Sequence, residues 1–231
     1  MLNSGFRRLS VICLAIAAII VINNKDAQAV TNKQCLKTQV EPQIIFQQNT
    51  AKTTINRSKT SDQITRFAKK ISAYKRSKGK RLLGLAYTEM SSGMGVEVRG
   101  SRTGNRTCIS LKKVKFSFSR VHSEIFVARK YKPGTCAYKV ILAHEREHMK
   151  INDKVQAKYA KKIKKLVSSR ANMVRPYITS KPKAAPKALI NRLNNEIKPL
   201  VAQFNKERKR LNEKIDTPKS YAKVHSKCAK W

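Results

Sequence analysis

His144, Glu145 and His148 stand in the order His-Glu-x-x-His within Ala143-His144-Glu145-Arg146-Glu147-His148-Met149. In a helix, side chains four residues apart lie one above the other on a single face, so both imidazoles can reach one metal ion. Glu145, about 100° round the helix from His144, then lies beside such an ion rather than on it. Two neutral nitrogen donors, an open position and a carboxylate that can take a proton from water are what zinc-assisted hydrolysis needs. The chain has four histidines, and half of them fall in this motif.

The flanking residues predict the helix that must carry the motif. Val140, His144, His148, Ile151, Val155, Tyr159 and Leu166 recur at helical steps, with Lys150, Lys154, Lys158, Lys161, Lys164 and Lys165 on the opposite side. The histidines therefore share the buried face with the aliphatic residues, where an imidazole needs a metal or a hydrogen-bond partner. Lys132-Pro133-Gly134 ends what precedes, Thr135 caps the helix, and the helix is expected from Cys136 to Val167. Upstream, Ile44-Ile45-Phe46 reads as a first strand. A helix capped by Thr60 or Ser61 then carries Ile64, Phe67, Ile71 and Tyr74, followed by a basic turn at Lys75 to Lys80. Leu82 to Met90 and Val96 to Arg99 read as strands joined by a hairpin loop at Ser91-Ser92-Gly93-Met94-Gly95. Cys108 to Ser119 and Glu124 to Tyr131 add two more, the former with a slip at Lys112-Lys113 that suggests a bulge. After a connector from Ser168 to Pro186, Lys187 to Ile215 forms a second helix with Leu189, Leu193, Ile197, Leu200, Phe204 and Leu211 on one side and a kink expected at Pro199. The fold class expected is α+β: a small, mostly antiparallel sheet, then the motif helix, then a C-terminal helix.

Residues 1–29 read as a secretory signal: Arg7 and Arg8, a mostly apolar run from Leu9 to Ile22, and the small-x-small site Ala27-Gln28-Ala29. Residues 30–170 are then an α+β domain that carries the motif and residues 171–231 a basic linker and C-terminal helical segment. Export makes Cys35, Cys108, Cys136 and Cys228 a two-disulfide framework. The pairing expected is Cys108 with Cys136 and Cys35 with Cys228. Net charge is +38, and losing Arg7, Arg8, Lys25 and Asp26 with the signal leaves about +36. Such a field attracts polyanions; export makes an anionic cell-envelope polymer the partner expected, with no specific nucleic-acid binding and no stable membrane span after cleavage. Ser, Cys and Lys nucleophile arrangements and a glycine-rich phosphate loop are absent.

On the His-Glu-x-x-His motif, the preceding small sheet and the exported context, the chain resembles zincin-type metallopeptidases. With Gly134-Thr135-Cys136-Ala137-Tyr138 before the motif, it is also similar to uncharacterised secreted bacterial zincin-like proteins. The resemblance implies a zincin-like fold in which His144 and His148 hold Zn²⁺, Glu145 acts as general base, and a peptide or protein is cut. It does not settle the third ligand. The metzincin positions here are Ile151 and Lys154, and Asp153 lies about 160° from the histidine face. The gluzincin pattern leaves Glu196, Glu207 and Glu213, of which a position near Glu207 comes level with His148 if the second helix returns antiparallel. His122 and Glu124 are upstream candidates. The function expected is therefore that of a secreted or periplasmic zinc-dependent peptidase. The alternative is a non-catalytic basic envelope protein that binds anionic polymers and carries a degenerate motif.

Overall fold

The computed structural model describes residues 30–71 and 81–231. The signal segment, Tyr74 and the basic turn lie outside them. In chain order the elements are α1 (Asn32–Leu36), β1 (Gln43–Gln47), β2 (Thr54–Asn56), α2 (Ser61–Lys70), β3 (Gly84–Thr103), β4 (Arg106–Val127), α3 (Cys136–Asn172), β5 (Tyr177–Thr179), a single 3-10 turn, α4 (Ala185–Ile215) and α5 (Pro218–His225). The class is α+β, with a sheet and several helices, as expected.

The sheet is mixed rather than of the mostly antiparallel kind expected. Its centre is β4, which pairs parallel with β1 and β2 and antiparallel with β3 and β5. The loop expected at Ser91 to Gly95 is instead strand, because those residues pair in register with Ser119 to Lys115 of β4. The chain turns later, at Gly104-Asn105, where Thr103 pairs with Arg106 and Gly104 has φ +62°. A two-residue hairpin needs that left-handed conformation, and glycine adopts it without steric cost. The two strands expected from Cys108 to Tyr131 are likewise one, β4. Its register shifts twice against β3: Lys112 is the extra residue at one shift and Val121 at the other. The first is the bulge anticipated at Lys112-Lys113.

Thr135 caps α3 by accepting from the Tyr138 N–H, and Gly134 at φ +87° turns the chain into it. The helix runs five residues past the expected Val167 because Ala171 is still buried. One face of α3 closes the core: Val155, Tyr159, Ile163 and Val167 pack with Val114, Phe116 and Phe118 of β4 and with Leu189, Leu193, Ile197 and Phe204 of α4. A second cluster joins Ile141, Leu142 and Met149 to Ile125, Phe126 and Val127 and to Ile64 of α2. No helix among the described residues is long and apolar enough to cross a membrane.

Both expected disulfides are corrected. Cys35 pairs with Cys108, across 73 residues, and Cys136 pairs with Cys228, across 92. Cys108 lies in the first turn of β4, beside α1, whereas Cys136 opens α3 beyond the other end of that strand, so the long unbroken β4 holds them apart. The second bridge ties the C-terminal tail to the first turn of the motif helix. Peptide mapping of the unreduced protein is expected to recover 35–108 and 136–228 linkages only. Replacing either pair by alanine should cost about 2–4 kcal/mol in urea unfolding, since each bridge closes a long loop.

Candidate metal centre

The motif helix enters the core obliquely to the expected stripe. His148 is buried, His144 is only slightly exposed, and Glu145, expected beside the histidines, is itself buried. The imidazoles share one face, with ring centroids 4.9 Å apart and planes at 88°. Both turn their Nε2 atoms to one oxygen: Asp216 Oδ1 is 3.1 Å from His144 Nε2 and 3.0 Å from His148 Nε2. The three donor atoms all lie within 4.8 Å of one another, and among the described residues this is the one such cluster. The third side chain is Asp216, the residue after the last turn of α4, where the sequence points instead to Glu207, Glu196, Glu213 or an upstream donor.

The candidates that were considered are engaged elsewhere. Glu207 accepts from Lys158 Nζ and Tyr159 Oη at 2.8 and 2.9 Å. Glu196 pairs with Arg170, and Glu213 with Lys209. Asp153, as its angle implied, turns away, to Arg120 of β4. His122 and Glu124 meet each other at 3.4 Å in a cleft of 370 Å³ shared with Asn56, Phe67 and Tyr87. That cleft lies on the opposite face of the sheet, because Ser123 touches Met149 of α3 and side chains alternate along a strand.

With α3 ending at Val167 and the second helix starting at Lys187, as expected, a position near Glu207 comes level with His148. From His148 to the observed end of α3 at Asn172 is 24 residues, and the same distance along α4 from Ala185 reaches Lys209, one turn short of Asn212, which does face His148. Nothing local marks Asp216 as a donor: it reads as the stop before Thr217, which caps α5.

One turn before Asp216, Asn212 fixes the orientation of His148. Asn212 Nδ2 donates to the Arg208 carbonyl at 2.7 Å and to Asn152 Oδ1 at 3.0 Å, so its amide oxygen faces His148 Nδ1 at 2.7 Å. An amide oxygen only accepts, so Nδ1 carries the proton and Nε2 presents a lone pair towards Asp216 whenever the ring is neutral. This is the arrangement by which ligating histidines are held in one tautomer. Tyr221 Oη of α5 donates to Asp216 Oδ1 at 3.0 Å, and its ring lies 5.4 Å from that of His144.

Glu145 lies against the first residues of β3. A Cβ on Gly84 would fall 2.7 Å from Glu145 Oε1 and from Ile141, so only glycine lets the strand come this close. The Ala86 backbone amide favours the ionised form of the carboxylate. Burial pushes the Glu145 carboxyl above its ordinary range, against the attraction of His148 and His144. Burial also opposes charge on His148, but the hydrogen bond to Asp216 and the charges of Glu145 and Asp216 outweigh it and push the ring up to about 9. Asp216 is held well below the usual carboxylate range: desolvation resists this, but hydrogen bonds from both histidines and Tyr221 prevail.

These donors fit a zinc ion. Tetrahedral bonds of about 2.0–2.1 Å separate neighbouring donors by about 3.3 Å, close to the two spacings about Asp216. Two imidazole nitrogens and one carboxylate oxygen are also a donor set that leaves a position open. Compared with family models, curated proteins and solved structures, the chain matches none.

Two outcomes are expected. Asn212→Leu frees the His148 ring and should weaken zinc binding about 10–100-fold in a chelator competition, whereas Asn212→Asp, which still accepts from Nδ1, should recover most of it. The second concerns pH. In metal-free protein His148 contributes stability below its unfolded value near 6.5, and that contribution is lost as pH rises through about 9. Asp216 contributes above its unfolded value near 3.8 and loses this only in acid, while Glu145 is penalised once it must ionise. Zinc needs deprotonated ligands, so its own stabilisation grows over the same range. The thermal midpoints of zinc-loaded and chelator-treated protein should therefore move apart between about pH 6 and pH 9; a constant or shrinking gap would contradict the site.

Proposed function

We propose that the protein is a zinc-dependent hydrolase of peptide bonds, with His144, His148 and Asp216 as metal ligands and Glu145 as general base. The observation that carries this reading is the placing of one oxygen, Asp216 Oδ1, at 3.0–3.1 Å from the Nε2 atoms of both motif histidines. An isolated degenerate motif gives no reason for an acidic residue 68 positions after His148 to converge on both rings.

A zinc ion held there would supply Lewis acidity, polarising a carbonyl and lowering the pKa of water towards about 7. The rest falls to side chains. Glu145, raised by burial, is suited to taking a proton near neutral pH and returning it to a leaving amine. The close approach of Gly84 packs the first residues of β3 against the Glu145 carboxylate and restricts where it can point. Asn212 keeps His148 in the ligating tautomer, and Asn152 braces Asn212. Tyr221 keeps Asp216 directed at the histidines. Among the described residues β3 pairs with β4 along one edge only, and its first residues lie against Glu145. An extended peptide laid along its other edge would pass the base as an added strand, a common mode of peptide capture.

The same donor set also suits Fe(II), but a buried carboxylate base beside it favours hydrolysis over oxygen chemistry. Oxidised protein with both disulfides intact, measured for zinc and iron together with hydrolysis of an unstructured protein such as casein, tests the assignment. About one zinc per chain is expected in the unmodified protein and in Glu145→Gln, and less than about a tenth of that in His148→Ala and Asp216→Ala. Hydrolysis should fall at least ~100-fold in Glu145→Gln with zinc retained. Iron in place of zinc, or full zinc in Asp216→Ala, would overturn the assignment.

A further inference from the structure

Residues 154–200 hold thirteen lysines and arginines and one acidic residue, Glu196. They form the distal halves of α3 and α4 and the turn between them, away from the metal centre. Glu196 is occupied by Arg170, and Lys158 by Glu207 from beyond the stretch. Lys154, Lys161, Lys162, Lys164 and Lys165 are exposed and have no carboxylate partner among the described residues. Lys187, Arg192 and Lys198 add exposed charge on α4.

The pattern along α3 is regular. The buried face is centred on Asn152, Val155, Tyr159, Ile163 and Val167, and Lys154, Lys161 and Lys165 lie directly opposite it. Lys162 and Lys164 flank that line on either side. On a straight helix Lys154 to Lys165 spans about 16 Å, with Lys154, Lys161 and Lys165 at intervals of two turns and one turn and Lys158, paired with Glu207, between the first two. Five like charges on this side of the helix repel one another, and no carboxylate among the described residues pairs with any of them.

The chemistry of the surface narrows the occupant. Ten of the thirteen basic residues are lysines, whose compact ammonium groups serve phosphate as point charges rather than as carboxylate-matching forks. The stretch has no exposed aromatic side chain on which a base could stack, which disfavours single-stranded nucleic acid. Met173 is its one large exposed apolar residue, too little to enter a bilayer. Two disulfides fit an oxidising compartment, where nucleic acid is not the usual polyanion. A flexible chain with a phosphodiester on each repeat and no bases meets all of these conditions. In poly(glycerol phosphate) six bonds separate successive phosphorus atoms, about 7 Å when extended, so its phosphates can follow the lysine line with little slack.

We propose that the exposed distal half of α3, centred on Lys154, Lys161, Lys162, Lys164 and Lys165 and extended by Lys187 of α4, docks a linear phosphodiester polymer of the cell surface. Lys165 is seventeen residues, or about 25 Å along the helix, from His148, so the polymer is a tether and not the substrate. The inference does not rest on the hydrolase reading and holds with or without metal.

The test uses the oxidised protein and fluorescence anisotropy, with poly(glycerol phosphate) as the probe. A single-stranded oligodeoxythymidylate of matched phosphate count and vesicles of anionic phospholipid serve as the other arms. Lys161, Lys162, Lys164 and Lys165 are changed together to Glu; a control changes Arg99, Arg102, Arg106 and Lys115 to Glu, for the same change in net charge on exposed positions of β3 and β4. The helix variant should lose at least ~100-fold in affinity at physiological salt, and the slope of log affinity against log salt should flatten by about 3. The control should lose less than ~10-fold, through the general field alone. A lysine-to-glutamine version of the helix variant, with thermal midpoint measured, separates lost binding from lost fold. Equal losses in the helix variant and the control would show that binding follows net charge and overturn the proposal. So would tighter binding to the oligonucleotide or the vesicles than to poly(glycerol phosphate), which would make this face a nucleic-acid or membrane surface.

Discussion

The antiparallel register of α3 against α4 decides which residue of the second helix faces His148. It is set far from the metal centre, by Val155, Tyr159, Ile163 and Val167 packing with Leu189, Leu193, Ile197 and Phe204. Burying side chains of this size stabilises by about 1.5–3 kcal/mol each, whereas a single hydrogen bond at the centre contributes about 1. The apolar contacts therefore place the polar ones. A slip of one helical turn would present Arg208 to the ring where Asn212 now stands, and the site would hold a cation in place of a hydrogen-bond acceptor.

Much of this was legible in the sequence because it depended on local periodicity. The caps at Thr60 and Thr135, the apolar spacing of both long helices and the bulge near Lys112 follow from residue type and interval, and each is seen. The errors share a different origin. Ser91 to Gly95 has the composition of a turn, yet it is strand because β4 offers it an unbroken ladder; cross-strand pairing overrode local preference. The cysteine pairing depended on where the two ends of β4 lie, which no spacing in the sequence reports. Asp216 was hidden for the same reason. A ligand that comes from the far side of two packed helices is fixed by their register, and that register depends on where α3 ends and α4 begins, which local periodicity reports only to within a turn or two.

The neighbourhood of the centre is arranged by distance from the metal donors. Nearest are the two Nε2 atoms and Oδ1 of Asp216; behind them are Asn212 and Tyr221; behind those are Asn152, Thr88 and the Arg208 carbonyl. Each amide in this chain has both its donor and its acceptor used, which is the condition under which a buried polar network orders a site rather than loosening it. Glu145 differs, since burial raises its carboxyl and a single backbone donor supports it. A group held partly unsatisfied is poised to change protonation state, and its counterpart Asp216 is held so as not to.

The position of Asp216 in the chain also imposes an order of events on biosynthesis. His144 and His148 emerge from the ribosome 72 and 68 residues before the donor that completes their set. Chain growth of about 5–20 residues per second leaves several seconds in which the motif helix exists without it. Closure of the Cys136–Cys228 bridge comes later still. A nascent chain thus holds only two of the three clustered side chains, and the cluster is complete only once the end of α4 has been made and has docked on the motif helix.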